Sequence, residues 1–222
     1  MADVSNLIRK AVDGLQSIYL YSFEPAPEAI RGIALVGPLA SGKTTLANTI
    51  RQSHLIQSGR VIVPKLYVSG VPMPDNIFDG DELVPYGAFV EKAARGEIEL
   101  YWERKFEDGR TEAYGFEALQ NPNAFVVYSG NVALYESRNS VRPAESLDGI
   151  LFVGVEAPFN VRERRLCQRS PDLISAKPKE IEYRLAESMP QVPVVVRNYE
   201  GYATLAPQQI VTFVERLVQL NE

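Results

Sequence analysis

Five apolar runs punctuate the chain: Gly32–Val36, Val61–Val68, Ala124–Tyr128, Ile150–Val155 and Val192–Val196. They lack clean alternation, the pattern of strands covered on both faces and therefore of a parallel sheet. Between them lie stretches with apolar positions at helical spacing, Thr44–Gln52, Val161–Gln168, Ile181–Ser188 and Pro207–Leu220. Strands and helices in alternation predict an α/β domain with helices on both sides of the sheet. Leu7, Ile8, Ala11, Val12 and Leu15 keep helical spacing as well. They read as a packed accessory helix within an N-terminal extension, residues 1–28, ahead of a main domain at 29–222.

Two stretches break the alternation. From about residue 63 to 119 glycine, proline and aspartate accumulate (SGVPMPDNIFDGDELVP), followed by a helical run, Tyr86–Arg95, and then GEIELYWERKFEDGRTEAYGF. The last piece, with Glu107-Asp108-Gly109-Arg110 at its centre, predicts an antiparallel hairpin. The second is RERRLCQRSPDLISAKPKE, a basic helix broken at Ser170-Pro171, within a segment 162–180.

The chemistry is most legible in GPLASGKTT, residues 37–45. It fills every fixed position of G-x-x-x-x-G-K-[ST] (Gly37, Gly42, Lys43, Thr44) between an apolar strand and a helical run, the context this motif requires. Backbone N–H groups of Gly37, Ala40, Ser41, Gly42, Lys43, Thr44 and Thr45 can then converge on phosphate oxygens, helped by the helix N-terminus. Lys43 supplies a mobile charge for β/γ-phosphates, and the Thr44 hydroxyl is a natural Mg²⁺ ligand. Arg162, Arg165 and Arg169 fall at i, i+3 and i+7, roughly along one helix face, and Arg184 follows on the next helix. Guanidiniums suit both the clamping of a triphosphate and the charge of a moving phosphoryl group. The competing reading of these arginines is a solvated basic helix paired with acids such as Glu163.

Composition narrows the partners. A net charge of −5 over 222 residues argues against an electrostatic hold on nucleic acid or an anionic membrane. The single cysteine, Cys167, forms no internal disulfide, which suits a reducing cytoplasm, and it reads as a small helix residue. The opening MADVSNLIRKAV lacks the apolar core of a signal peptide, and no run approaches membrane-spanning length. His54, the only histidine, reads as a surface residue with nothing nearby to pair with it. The expected partners are a small phosphorylated acceptor and, at most, a second copy of the chain.

RRLCQRSPD (164–172) followed by IEYRLAES (181–188) resembles the lid and following helix of guanylate kinase-like nucleoside monophosphate kinases. RGEIELYWE (95–103) leading to AYGF (113–116) is similar to that family's acceptor-binding segment. The resemblance implies a three-layer P-loop kinase fold with a five-stranded parallel sheet, an acceptor-binding insertion near 63–119 and a lid near 162–180. It implies ATP and Mg²⁺, lid arginines at Arg165 and Arg169, and Arg184 reaching the phosphates from the next helix. Tyr114 would meet acceptor phosphate, and Asn198 would lie near the donor base. The family's Thr-Thr-Arg is absent after strand two, where VPKLYVSGVPMPD offers Lys65 as the only cation. Tyr128-Ser129-Gly130-Asn131 stands where guanylate kinases carry an aspartate, and with Tyr101-Trp102 it is closer to the ribose 1,5-bisphosphate kinase branch. Lys65, Tyr101, Trp102, Glu103, Tyr114 and Asn131 are thus the expected acceptor residues, and GMP is not the expected acceptor. A non-catalytic guanylate kinase-like binding module stays open as the alternative. A regulatory GTPase would need N-K-x-D and D-x-x-G motifs that the sequence lacks.

Overall fold

The computed structural model describes residues 4–21, 29–70, 81–105, 109, 111–137, 147–169, 182 and 185–221. The chain divides into two compact units: Met1–Val63, Asn123–Val132 and Gly149–Glu222 form the first, Pro64–Pro122 and Ala133–Asp148 the second.

The first unit is built on strands β1 (Ile18–Leu20), β2 (Gly32–Val36), β3 (Val61–Ile62), β8 (Phe125–Ser129), β9 (Ile150–Glu156) and β10 (Val194–Arg197). Their order is β1-β10-β9-β2-β8-β3. The five strands from β10 to β3 run parallel, and β1 adds antiparallel to β10. The loop-bearing strand β2 therefore lies between its two parallel neighbours, where the strand order reverses direction. Ligands of open parallel sheets bind at such a point, beyond the carboxyl ends of the strands.

Helices α1 (Val4–Val12), α2 (Lys43–Arg51), α3 (His54–Gln57) and α7 (Ala206–Leu220) share one core with the sheet residues Ile33, Leu35, Val127, Val153 and Val196. Helix α7 buries Ala206, Ile210, Phe213, Val214, Leu217 and Val218, a stripe at three- and four-residue spacing that the helical period places on one side. Burying each large side chain of such a stripe contributes about 1.5–3 kcal/mol. The alternate sheet residues Ala34, Val36, Val126, Tyr128 and Val195 are buried too, so both faces are covered. That double burial is why the runs did not alternate.

Two sequence expectations change. The accessory helix exists, but a strand follows it: β1 is only three residues long, too short to announce itself as an apolar run. The expected strand Val61–Val68 is two strands, β3 and β4 (Leu66–Ser69), in different sheets. Pro64 between them lacks the N–H that a continuous interior strand requires, and it stands at the boundary of the two units.

The second unit carries a sheet in the order β5-β4-β7-β6, with β5 (Glu82–Leu83), β6 (Ile98–Lys105) and β7 (Thr111–Glu117). Strands β6 and β7 form the expected antiparallel hairpin; residues 106–108 and 110 of its turn lie outside the described residues. Helix α4 (Tyr86–Ala94) places Phe89 against Tyr67, Val84, Ile98 and Ala113 on one face of this sheet. A short helix, α5 (Val132–Glu136), follows β8, and α6 (Phe159–Arg169) follows β9.

Candidate nucleotide-binding site

The loop between β2 and α2 is shaped by close approaches. A Cβ on Gly42 would sit 1.9 Å from Asn198 Nδ2, and Gly42 has φ +99°, so glycine is required on both counts. A Cβ on Gly37 would lie 2.7 Å from the Val155 carbonyl oxygen, which packs the loop's first turn against the end of β9. Ala40 adopts φ +59°, a left-handed conformation that costs an L-residue about 1–2 kcal/mol. Its neighbours hold it there. Arg165 Nη1 donates to the Ala40 and Ser41 carbonyls at 3.3 and 3.1 Å, and its Nη2 donates to the Asn198 carbonyl at 2.6 Å. Asn198 Nδ2 donates to the Ser41 carbonyl at 2.9 Å.

Helix α2 begins at Lys43 with Gly42 at its N-cap and no side-chain capping bond. Thr44 is partly exposed and Thr45 exposed at that end. Lys43 Nζ donates to the Pro38 carbonyl at 2.8 Å and approaches Ser41 Oγ at 3.5 Å. Dehydration of the ammonium pulls its pKa down to about 8; Glu187 opposes this, and the positive charges of Arg162 and Arg169 add to it.

Helix α6 supplies those charges. Arg162 is buried and donates Nε to the Ala157 carbonyl at 3.0 Å. Burial holds the pKa of Arg162 and of Arg165 below the ordinary guanidinium value, with Arg164 contributing at Arg165. Arg164 turns outward to Glu200 at 2.8 Å, and Arg169 and Cys167 are exposed. Asn131 follows β8 just after Gly130, whose N–H donates to the Leu35 carbonyl at 2.9 Å, so it stands at the carboxyl end of the strand beside β2.

The structure adds partners that the sequence did not show. Arg165, partly exposed, donates to three backbone carbonyls of residues 40, 41 and 198 rather than pairing with Glu163. Asn198 is buried; its side-chain Nδ2 donates to the Ser41 carbonyl, its backbone N–H to the Glu156 carbonyl, and its own carbonyl accepts from Arg165. His54 pairs with Glu215 of α7 at 3.2 Å, a partner distant in sequence. Arg184 and the Ser170-Pro171 break lie outside the described residues.

The expected acceptor residues Lys65, Tyr101, Trp102, Glu103 and Tyr114 all belong to the second unit. Trp102 is 2% exposed and stacked on Tyr114, with ring centroids 5.4 Å apart and planes at 11°. Tyr101 meets Phe89 edge-on at 6.3 Å, on the face that carries α4. Both aromatics therefore pack within the unit. Lys65 pairs with Glu82 at 3.1 Å, which raises its pKa, and Glu103 accepts from the Tyr86 hydroxyl at 3.0 Å. The Tyr114 hydroxyl donates to the buried carboxylate of Glu112. Glu112 had not been singled out. Its place two residues before Tyr114 on a strand, hence on the same face as the Trp102–Tyr114 stack, was the available signal.

Strand order and loop together define an α/β fold with a phosphate-loop motif at the carboxyl end of a central parallel strand. No family model matches the chain, and no curated protein sequence does. Among solved structures it is similar to a guanylate kinase from Anaplasma phagocytophilum, at 12% identity over 88% of this chain and 86% of that one, with a TM-score of 0.44. It is also similar to APE1195, at 20% identity over 87% and 98% with a TM-score of 0.43. A gluconokinase from Sinorhizobium meliloti 1021 matches at 14% identity over 87% and 97%, TM-score 0.39. No helix among the described residues is long and apolar enough to cross a membrane.

Proposed function

We propose that the chain is an ATP-dependent phosphotransferase that moves the γ-phosphoryl group of ATP to a small phosphorylated acceptor, a nucleotide or a ribose phosphate. The observation that carries this reading is the concentration of Lys43, Arg162 and Arg169 around an uncapped helix N-terminus, with Glu187 the acid that offsets them at Lys43. Like charges gathered beside a buried guanidinium, Arg162, are costly unless an anion arrives.

In this reading the loop amides and the N-terminus of α2 hold the donor phosphates, and Lys43 swings from the Pro38 carbonyl to the transferring group. Arg165 and Asn198 keep the strained loop in its binding shape. Arg169, with Arg184, neutralises the phosphoryl group as it passes from the β–γ bridging oxygen to an acceptor oxygen. The catalytic gain is positioning and preorganised charge rather than proton transfer. Mg²⁺ fits the donor set: Thr44 offers one hydroxyl, and no group of three acids stands among the described residues to form a protein cage. A cation that takes most of its ligands from phosphate and water needs no more. Held by Thr44, it would supply positive charge to offset that of the donor phosphates. Lys65, Glu103 and Tyr114 of the second unit are proposed to bind the acceptor, and the absent Thr-Thr-Arg points away from GMP.

The test is ATP consumption with a panel of nucleoside monophosphates and phosphorylated sugars. The reading expects acceptor-dependent ADP formation with at least one of them. ATP binding with no turnover on any acceptor would favour the non-catalytic module instead.

A further inference from the structure

Arg162 holds a guanidinium that the fold does not satisfy. The residue is 6% exposed, its Nε is bonded to the Ala157 carbonyl, and its Cζ lies 5.9 Å from the Phe159 ring centroid. Its terminal Nη1 is buried and has no hydrogen-bond partner among the described residues. A buried charged donor without an acceptor gives up its hydration and receives nothing back. Its setting deepens the deficit, because Lys43 stands within electrostatic reach as a like charge, which Glu187 offsets among the described residues.

The geometry says where this nitrogen belongs. Arg162 precedes Arg165 by three residues, so the two share a face of α6, and Arg165 fixes that face against the carbonyls of Ala40 and Ser41. Ala157, which anchors Arg162, lies two residues beyond Val155, the residue that touches Gly37 at the start of the loop. Arg162 is therefore tied to the same edge of the phosphate loop as Lys43.

We propose that Arg162 is a phosphate-binding residue of the loop site, its Nη1 donating to an oxygen of the terminal phosphoryl group that Lys43 neutralises. The inference rests on the nucleotide-binding reading above and sharpens its ligand. A guanidinium and an ammonium within electrostatic reach of each other favour a ligand with several negative charges in a row. That is a polyphosphate, in preference to a monophosphate or a carboxylate.

The test is calorimetric binding of inorganic tripolyphosphate and of orthophosphate to the wild type, Arg162→Met and Arg162→Lys, with ligand-free melting of each. The wild type should bind tripolyphosphate much more tightly than orthophosphate. Arg162→Met should lose at least tenfold in tripolyphosphate affinity while melting no lower than the wild type, since it removes an unsatisfied charge. Arg162→Lys should lose affinity as well, because a single ammonium cannot both hold Ala157 and reach the phosphate. Wild-type affinity in Arg162→Met, or a lower melting temperature with unchanged affinity, would overturn the proposal and leave the proposed function standing. If neither variant melts cooperatively, Arg162 is structural and the proposal fails. A wild type that binds neither ATP nor tripolyphosphate would remove both readings.

Discussion

Replacing Lys43 by methionine should make the ligand-free protein more stable at neutral pH while removing most of its chemistry. The ammonium's pKa falls from its ordinary 10.5 to about 8 in the folded chain, chiefly through dehydration. The gap between those values amounts to about 3 kcal/mol against the charged form, at about 1.4 kcal/mol per pKa unit. Water reaching the partly exposed side chain makes this a ceiling. Methionine also gives up the bond to the Pro38 carbonyl, which returns about 1 kcal/mol. The net gain is then up to about 2 kcal/mol, or about 4–8 °C in a chain of this size. Its pH dependence follows from the direction of the displacement. Below about 8 the lysine is charged in both states and the folded protein carries the whole penalty. Between about 8 and 10.5 the folded state has lost the proton that the unfolded chain retains, so wild-type stability rises toward that of the variant. Above 10.5 the gap closes. The assay is paired thermal melting of the two proteins at pH 7 and pH 10. Kinase turnover should fall about 10²–10³-fold in the same variant. A methionine protein that melts lower than wild type at pH 7, or a difference that does not shrink at pH 10, would refute the dehydrated-charge account.

Arg165→Ala strips the donor from three carbonyls, and melting should show a loss of about 1–3 kcal/mol together with a raised KM for ATP. Ala40→Gly relieves a left-handed alanine and should raise ligand-free stability by up to about 1 kcal/mol, read by the same melts. Gly42→Ala drives a methyl into Asn198, so ATP binding measured by calorimetry should disappear even where the fold survives. GMP should be a poor acceptor beside ribose phosphates in a coupled ADP assay; turnover of GMP near about 10⁸ M⁻¹s⁻¹ in kcat/KM would contradict this.

The parts of the molecule that were legible in the sequence are those set by local rules. Strand β2, the loop and helix α2 could be read because glycine spacing and an apolar run are local signals, and the hairpin because its apolar positions alternate between charged ones. What the sequence hid depends on contacts between distant residues. Arg165 looked like one of three equivalent arginines on a helix. Only the fold shows that it meets the carbonyls of residues more than a hundred positions earlier. Asn198 could be placed near the loop, but its single side-chain amide donates to Ser41 from 157 positions away. Glu112 was hidden differently: a lone acid in a polar hairpin reads as solvated until its face is known. Strand β1 is too short for any periodicity, and its existence depends on the edge that β10 presents to it.

That edge strand carries a consequence for biosynthesis. Strand β1 pairs with β10, Ser17 bonds Gln209, and Arg216 donates to the carbonyls of Ala11 and Asp13. Residues 11–20 thus find their partners almost two hundred positions later in the chain. At about 5–20 residues per second the amino-terminal helix and strand wait on the order of ten seconds or more before β10 and α7 emerge. During that interval α1 has an apolar side without its cover, and β1 has no ladder to join. Nascent chains should accordingly be vulnerable to chaperone capture or proteolysis until Arg216 has cleared the exit tunnel, and should pass to a protected state abruptly rather than by stages.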